Sequence, residues 1–341
     1  MNSSTIMGYA ALAKGQPLET FAYAKTALGD HEVRVAITHC GLCFSDVQAI
    51  DDFYHITEFP FVPGHEIVGT ISEVGKAVTQ LKKGDRVGIG WQGRACMKCE
   101  WCLRGEVNLC QDIVHTASWT PYGGFSSSIA VDENFAYKLP EGMLSEVAAV
   151  LMCAGITVFT PLRSYSSTPS LRIGIVGVGG LGHLAIQFAK ALGYKVAAIS
   201  SSPDKKKEAL ALGADQFIVA HDQDAMQKVA YYFDLLLGTA HGGVDWDNVL
   251  GILKKKGKLI LVGFPEMTFR PIDLVAHQLS ISGSFLGTPA DMREMLSFAQ
   301  TYNIQPMIEL MPMAQINPAI ERLKKNRARY RIVLVNDPKD K

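Results

Sequence analysis

Four cysteines fall in a run of the form C-x2-C-x2-C-x7-C: Cys96, Cys99, Cys102 and Cys110. Four thiolates on one short loop are the donor set of a closed, tetrahedral structural zinc site, because zinc takes soft anionic sulfur and is satisfied by four such ligands. In a reducing compartment a cluster of this kind more often binds metal than forms disulfides. A zinc ribbon for nucleic acid uses the same quartet. However, Lys plus Arg and Asp plus Glu both number 33, so no net charge draws the chain to a polyanion or to anionic lipid. No nucleic-acid partner is therefore expected.

The second stretch with chemistry in it is Gly177-Val178-Gly179-Gly180-Leu181-Gly182, a G-x-G-x-x-G turn. Dinucleotide binding asks for a tight turn at the first glycine and close backbone approach to the pyrophosphate at the second. It asks for close helix–strand packing at the third, with the helix N-terminus facing the phosphates. The pattern alone is weak, and a ligand-free turn has the same letters. Here an apolar run, 172–176, precedes it, a helical stretch, 181–192, follows, and a second strand, 195–199, comes next; that context carries the reading. An NAD-binding chain places an acid at the end of this second strand. This chain has Ser200-Ser201-Ser202-Pro203-Asp204-Lys205-Lys206 instead. Hydroxyls on Ser200 and Ser201 leave room for a 2′-phosphate, and Lys205 or Lys206 neutralises it, so the expected cofactor is NADP(H). The same residues also read as an ordinary helix start with solvated lysines.

The elements that must position these residues fall into two sets. A length of 341 residues suggests two domains. Residues 33–138 read as short β-rich segments, such as 32–37, 67–74 and 86–89, broken by Pro63-Gly64 and Lys83-Gly84-Asp85. After about residue 154, strands at 172–176, 195–199, 216–219, 234–237, 258–262 and 280–285 alternate with helical stretches, the mark of βαβ units and a doubly wound parallel sheet. The tail holds helical stretches at 290–301 and 317–325 and a last strand at 329–335. No run approaches the roughly 18 uninterrupted apolar residues of a membrane span, and no membrane association is expected. Residues 1–13 lack a basic and then apolar leader pattern, so the expected location is the cytoplasm.

Cys40-Gly41-Leu42-Cys43-Phe44-Ser45-Asp46, Pro63-Gly64-His65-Glu66, the cysteine quartet, Cys153-Ala154-Gly155-Ile156-Thr157 and the glycine-rich turn stand in one order along the chain. In that order and content the sequence resembles zinc-containing medium-chain alcohol dehydrogenases. It is most similar to the cinnamyl-alcohol-dehydrogenase-like group with the bacterial NADPH-dependent aldehyde reductases. The closing Arg329-Tyr330-Arg331 and apolar strand resemble that group too. The resemblance implies a GroES-like β-rich catalytic domain of residues 1–153 and 290–341, with a dinucleotide-binding domain of residues 154–289. It implies Cys43, His65 and Cys153 as ligands of a catalytic zinc, hence two zinc ions per chain. Spacing alone does not assemble those three. Asp46 matches the carboxylate that orients the ligand imidazole. Glu66 matches a carboxylate near the metal, and Ser45 the hydroxyl that hydrogen-bonds the substrate oxygen. Thr157, Val262, Ser284 and Phe285 are expected beside the nicotinamide half of the cofactor. The implied reaction is reversible hydride transfer between NADP(H) and a primary alcohol or aldehyde; a homodimer, the commonest homo-oligomer, is the default assembly.

Two positions depart from the family pattern. Phe44 stands where a His is frequent, and Gln48 stands where many members carry a relay His. The proton is then expected to leave through the cofactor ribose and water, or through another group. Phe53, Tyr54, Trp91 and Trp119 are candidates to line an apolar pocket, although aromatics are more often plain core. Cys40 reads as a small buried hydrophobe, with a Cys40–Cys43 redox pair as the alternative. Rival functions are an NAD-preferring alcohol or polyol dehydrogenase, and a non-catalytic zinc and nucleotide binder.

Overall fold

A computed structural model describes residues 5–53, 55–116, 122–166 and 170–336. They divide into two compact units: Met1–Cys153, Gly287–Gln300 and Pro306–Lys341 in one, Ala154–Leu286 and Thr301–Gln305 in the other. The family resemblance implies a single segment, 154–289, for the second unit. Residues 287–289 fall instead with the first, because Thr288 caps the helix Pro289–Thr301. The Thr288 N–H donates to Asp291 Oδ2 at 2.8 Å, and the Asp291 N–H donates to Thr288 Oγ1 at 3.1 Å. That reciprocal pair satisfies donors the helix start would otherwise leave orphaned.

The second unit is a six-stranded sheet in the order Gln216–Val219, Lys195–Ser200, Arg172–Val176, Phe233–Gly238, Leu253–Leu261, Ser280–Gly283. Every pairing is parallel, so this is the doubly wound order with its switch point between Arg172–Val176 and Phe233–Gly238. Arg172–Val176 and Phe233–Gly238 read as near-continuous apolar runs because the central strands of such a sheet are buried on both faces. Helix Gly182–Ala191 buries Leu184, Ile186 and Phe188. Strand Ser280–Gly283 forms one edge and is largely exposed.

The first unit is built on a seven-stranded sheet. Its spine is the strand Glu32–Leu42, which pairs with Glu66–Val74 along one edge. Along the other edge, Ser128–Asp132 covers the first half and Arg331–Val335 the second, so Leu334 and Ile332 lie beside Cys40 and Leu42. Phe61, Ile67, Ile71, Ile89 and Phe125 fill the core beneath. Helix Ser145–Arg163 is long and apolar enough to cross a membrane, yet most of it is buried inside the protein, which makes it a core helix.

Candidate metal centres and nucleotide turn

Cys43 ends the spine strand and begins the helix Phe44–Ile50. Its N–H donates to Asp46 Oδ2 at 2.9 Å, one turn into that helix. Asp46 Oδ1 accepts from the Gly64 N–H at 3.0 Å and lies 2.9 Å from His65 Nδ1. Asp46 and His65 are both fully buried. Gly64, at φ +103°, makes the turn that brings His65 down onto Asp46, and a Cβ there would lie 2.7 Å from the Phe125 nitrogen. With Nδ1 held by a carboxylate, Nε2 is the free face of the ring, and it is buried without a hydrogen-bond partner. Cys153, on the helix Ser145–Arg163, completes the group: the ligand atoms of Cys43, His65, Glu66 and Cys153 all lie within 4.8 Å of one another.

The electrostatics of this cluster call for a cation. The Cys153 S–H bond holds the Cys43 thiol well below its usual range, and the same bond, together with burial, pushes Cys153 well above it. Two adjacent thiolates repel, so the pair resists carrying two negative charges. Cys43, His65 and Cys153 would supply two sulfurs and one imidazole nitrogen to a divalent zinc ion, which would offset the repulsion between two thiolates. The donor set fits such an ion, with Asp46 orienting the imidazole behind it.

Glu66 Oε1 accepts from Arg331 Nη2, while Oε2 is buried without a partner. Burial pushes the Glu66 carboxyl up to about 7, against the pull of Arg331. Gly41 makes the space for it, since a Cβ at Gly41 would lie 2.0 Å from Glu66 Oε2. Sequence reasoning missed Arg331 and Gly41. The signal for the first was an arginine opening the apolar strand Arg331–Val335, where a charge only 6% exposed must have a partner. Ser45 is half-buried in the first turn of the helix Phe44–Ile50. The Trp91 ring meets the His65 ring edge-on, with centroids 4.5 Å apart. Phe53 is largely exposed. Tyr54 and Trp119 lie outside the described residues. Cys40 is fully buried, and none of the seven cysteines forms a disulfide.

The second cluster gathers Cys96, Cys99, Cys102 and Cys110, again within 4.8 Å of one another. Cys96 Sγ lies 3.5 Å from Cys110 Sγ and 3.9 Å from Cys102 Sγ, against about 2.05 Å for a disulfide. Backbone donors support the sulfurs: the Cys99 N–H donates to Cys96 Sγ and the Cys96 N–H to Cys110 Sγ, each at 3.4 Å. The Cys102 N–H and its neighbouring thiols draw Cys99 down to about 6, whereas burial pushes Cys102 up to about 12. Four sulfurs with no carboxylate in the cluster suit a closed site.

In the second unit the three glycines differ as the turn requires. Gly177 adopts φ +99°, Gly179 has open space where a Cβ would project, and a Cβ on Gly182 would lie 1.9 Å from the Gly177 carbonyl oxygen. Gly180 and Leu181 lead into the helix, and the His183 N–H donates back to the Gly179 carbonyl at 3.0 Å. Sheet register places Val176, Ile199, Gly238, Leu261 and Gly283 side by side. The next residues, Gly177, Ser200, Thr239, Val262 and Ser284, therefore form a row at or just beyond the carboxyl ends of the strands, where ligands of such sheets bind. Phe285 follows that row and is exposed, while Thr157 is buried in the helix Ile156–Arg163, outside the row. Thr239 escaped sequence reasoning; its hydroxyl donates to the Val176 and Gly177 carbonyls and braces the turn. Ser200 Oγ accepts from the Ser202 N–H at 3.2 Å, and Ser201 is exposed. Lys205 Nζ donates to the Val178 carbonyl at 2.7 Å, so its ammonium sits on the phosphate turn itself.

The chain matches the alcohol dehydrogenase GroES-like domain family over residues 29–141 and the zinc-binding dehydrogenase family over residues 180–301. It is 40% identical over 340 residues to vomilenine reductase of Rauvolfia serpentina, covering 96% of this chain and 94% of that protein. A cinnamyl alcohol dehydrogenase of Sorghum bicolor superposes with a TM-score of 0.93 at 37% identity, covering 97% of each chain. The CAD of Helicobacter pylori, solved with NADP(H), superposes with a TM-score of 0.90 at 30% identity, covering 97% of this chain and 98% of that one.

Proposed function

The chain belongs to the zinc-type medium-chain dehydrogenases/reductases, and from that premise we propose that it interconverts aldehydes and primary alcohols with NADP(H), as a broad-range aldehyde reductase. Within the family, hydride transfer on alcohols, aldehydes or polyols is the common activity. The observation that carries the proposal is the Cys43–His65–Cys153 cluster, its last two members buried, with Asp46 behind the imidazole and Nε2 unpartnered. A zinc ion held there supplies Lewis acidity toward a carbonyl oxygen, and the nicotinamide supplies the hydride. Asp46 keeps the His65 proton on Nδ1, so Nε2 presents a lone pair. Ser45 Oγ holds the proton that the reduced oxygen takes up. Arg331 anchors one oxygen of Glu66 and leaves the other directed at the cluster. The quartet Cys96, Cys99, Cys102 and Cys110 holds the second, structural zinc.

Three features support NADP(H). Ser200 ends its strand without an acid, Ser201 is exposed beside it, and the Lys205 ammonium lies on the glycine-rich turn. A homodimer is the expected assembly. The open sheet edge Ser280–Gly283, preceded by a helix that exposes Ile272 and Val275, is its proposed contact. The test is a panel of aldehydes, alcohols and polyols assayed with NADPH and NADH. Aldehyde reduction with NADPH should dominate. Turnover confined to polyols with NAD, or none at all, would replace this reading with one of its rivals.

A further inference from the structure

The helix Ser145–Arg163 changes its winding once. Between the α-helical segments Ser145–Val150 and Ile156–Arg163 lies a π-helical turn, Leu151–Gly155. A π turn widens the helix locally, and such turns recur at functional sites. Cys153 is the middle residue of this one, and its thiol is the one that meets Cys43 and His65. The turn also rests on a particular support. Gly90 follows the strand Arg86–Ile89, and a Cβ on Gly90 would lie 2.7 Å from the Met152 carbonyl oxygen and 3.7 Å from its carbonyl carbon. A methyl group there strikes the main chain of the residue before Cys153. That carbonyl cannot retreat without carrying the cysteine backbone along.

Gly88 supplies the contrast. It faces the same residue, but a Cβ on Gly88 would meet Met152 Sδ at 2.5 Å, in a flexible side chain that can swing aside. Neither glycine lies in the left-handed region, so alanine suits both backbones and the difference lies in what each methyl strikes.

We propose that the π turn Leu151–Gly155, seated on Gly90, aims the Cys153 thiol at Cys43 and His65, which makes Gly90 a positioning residue of the metal site. This rests on the reading of Cys153 as a zinc ligand. An α-helical turn at the same place would present residue 153 at a different point of the helix circumference, and the sulfur would leave the cluster.

The test compares Gly90→Ala and Gly88→Ala proteins by zinc content, by resistance to a graded chelator, and by the thiolate-to-cobalt absorption of the Co(II)-substituted forms. Gly88→Ala should keep two metal ions. Gly90→Ala should keep the quartet's ion and hold the other at least about tenfold more weakly, with an altered cobalt spectrum. Wild-type chelator resistance and an unchanged spectrum in Gly90→Ala would overturn the proposal. Should Gly90→Ala fail to fold, deletion of Ala154, which closes the π turn to an α turn, decides by the same readouts: loss of one ion supports the proposal and retention of both overturns it. A wild-type protein whose metal content is unchanged by Cys153→Ala is a different failure, that of the ligand assignment itself.

Discussion

Asp46→Asn takes the charge from the carboxylate that organises the proposed catalytic metal site. Asp46 is fully buried; Oδ2 accepts from the Cys43 N–H at 2.9 Å, while Oδ1 accepts from the Gly64 N–H at 3.0 Å and lies 2.9 Å from His65 Nδ1. An asparagine that keeps its oxygen at the Oδ1 position turns its NH2 group toward the Cys43 N–H, donor against donor. The flipped rotamer loses the other two bonds instead. At least one charge-assisted bond is therefore lost, about 1.5–3 kcal/mol, or roughly ten- to a hundredfold in a binding constant. The same range is typical when the hydrogen-bond partner of a ligating histidine is removed. The assay is zinc release to chelators of graded affinity, followed by a metal-sensitive dye. The Cys96 quartet is a separate cluster and serves as internal reference. One zinc ion should leave the variant at ten- to a hundredfold weaker chelation while the other behaves as in the wild type. Identical release curves for both proteins would refute the reasoning that Asp46 orients a metal ligand.

Ser45→Ala should lower kcat by about 10²–10⁴-fold, the usual loss for a positioned proton-transfer group, with zinc content unchanged; a wild-type kcat would reduce Ser45 to a packing residue. Lys205→Ala removes the ammonium that bonds the Val178 carbonyl. It should lower kcat/KM for NADPH by about tenfold or more while leaving NADH nearly unaffected, and Ser200→Asp should reverse the preference. An equal loss with both cofactors would mean that Lys205 only braces the turn. Gly182→Ala drives a methyl group to 1.9 Å from the Gly177 carbonyl oxygen. It should cost about 1–3 kcal/mol of stability and weaken nucleotide binding by calorimetry, whereas unchanged affinity would show that the turn does not seat the phosphates.

How much of this was legible depended on how far apart in sequence the cooperating residues lie. The quartet from Cys96 to Cys110 and the turn from Gly177 to Gly182 are local, so spacing carried the chemistry of the first, and spacing with the flanking strands and helix carried that of the second. The parallel sheet was also legible, because its buried strands are short apolar runs separated by helical stretches. Cys43, His65 and Cys153 meet only after a strand, a turn and a core helix have packed, and no spacing rule joins them. Helix Ser145–Arg163 went unread because it is apolar along most of its length, and because Gly155 and Pro161 look like breaks. Arg331 reaches Glu66 from the far end of the chain, and only the pairing of Arg331–Val335 with the spine strand makes that contact intelligible. Lys205 reaches Val178 across a sheet connection, a contact that reads in sequence as a solvated lysine.

The central claim is that Cys43, His65 and Cys153 hold a zinc ion that the reaction requires. The direct measurement is elemental analysis of the purified wild type and Cys153→Ala, with aldehyde reduction assayed on the same samples. Two zinc ions per chain should fall to one in the variant, with turnover abolished and the fold retained by circular dichroism. Full wild-type turnover from protein holding one zinc ion or none, or an active Cys153→Ala, would contradict the account.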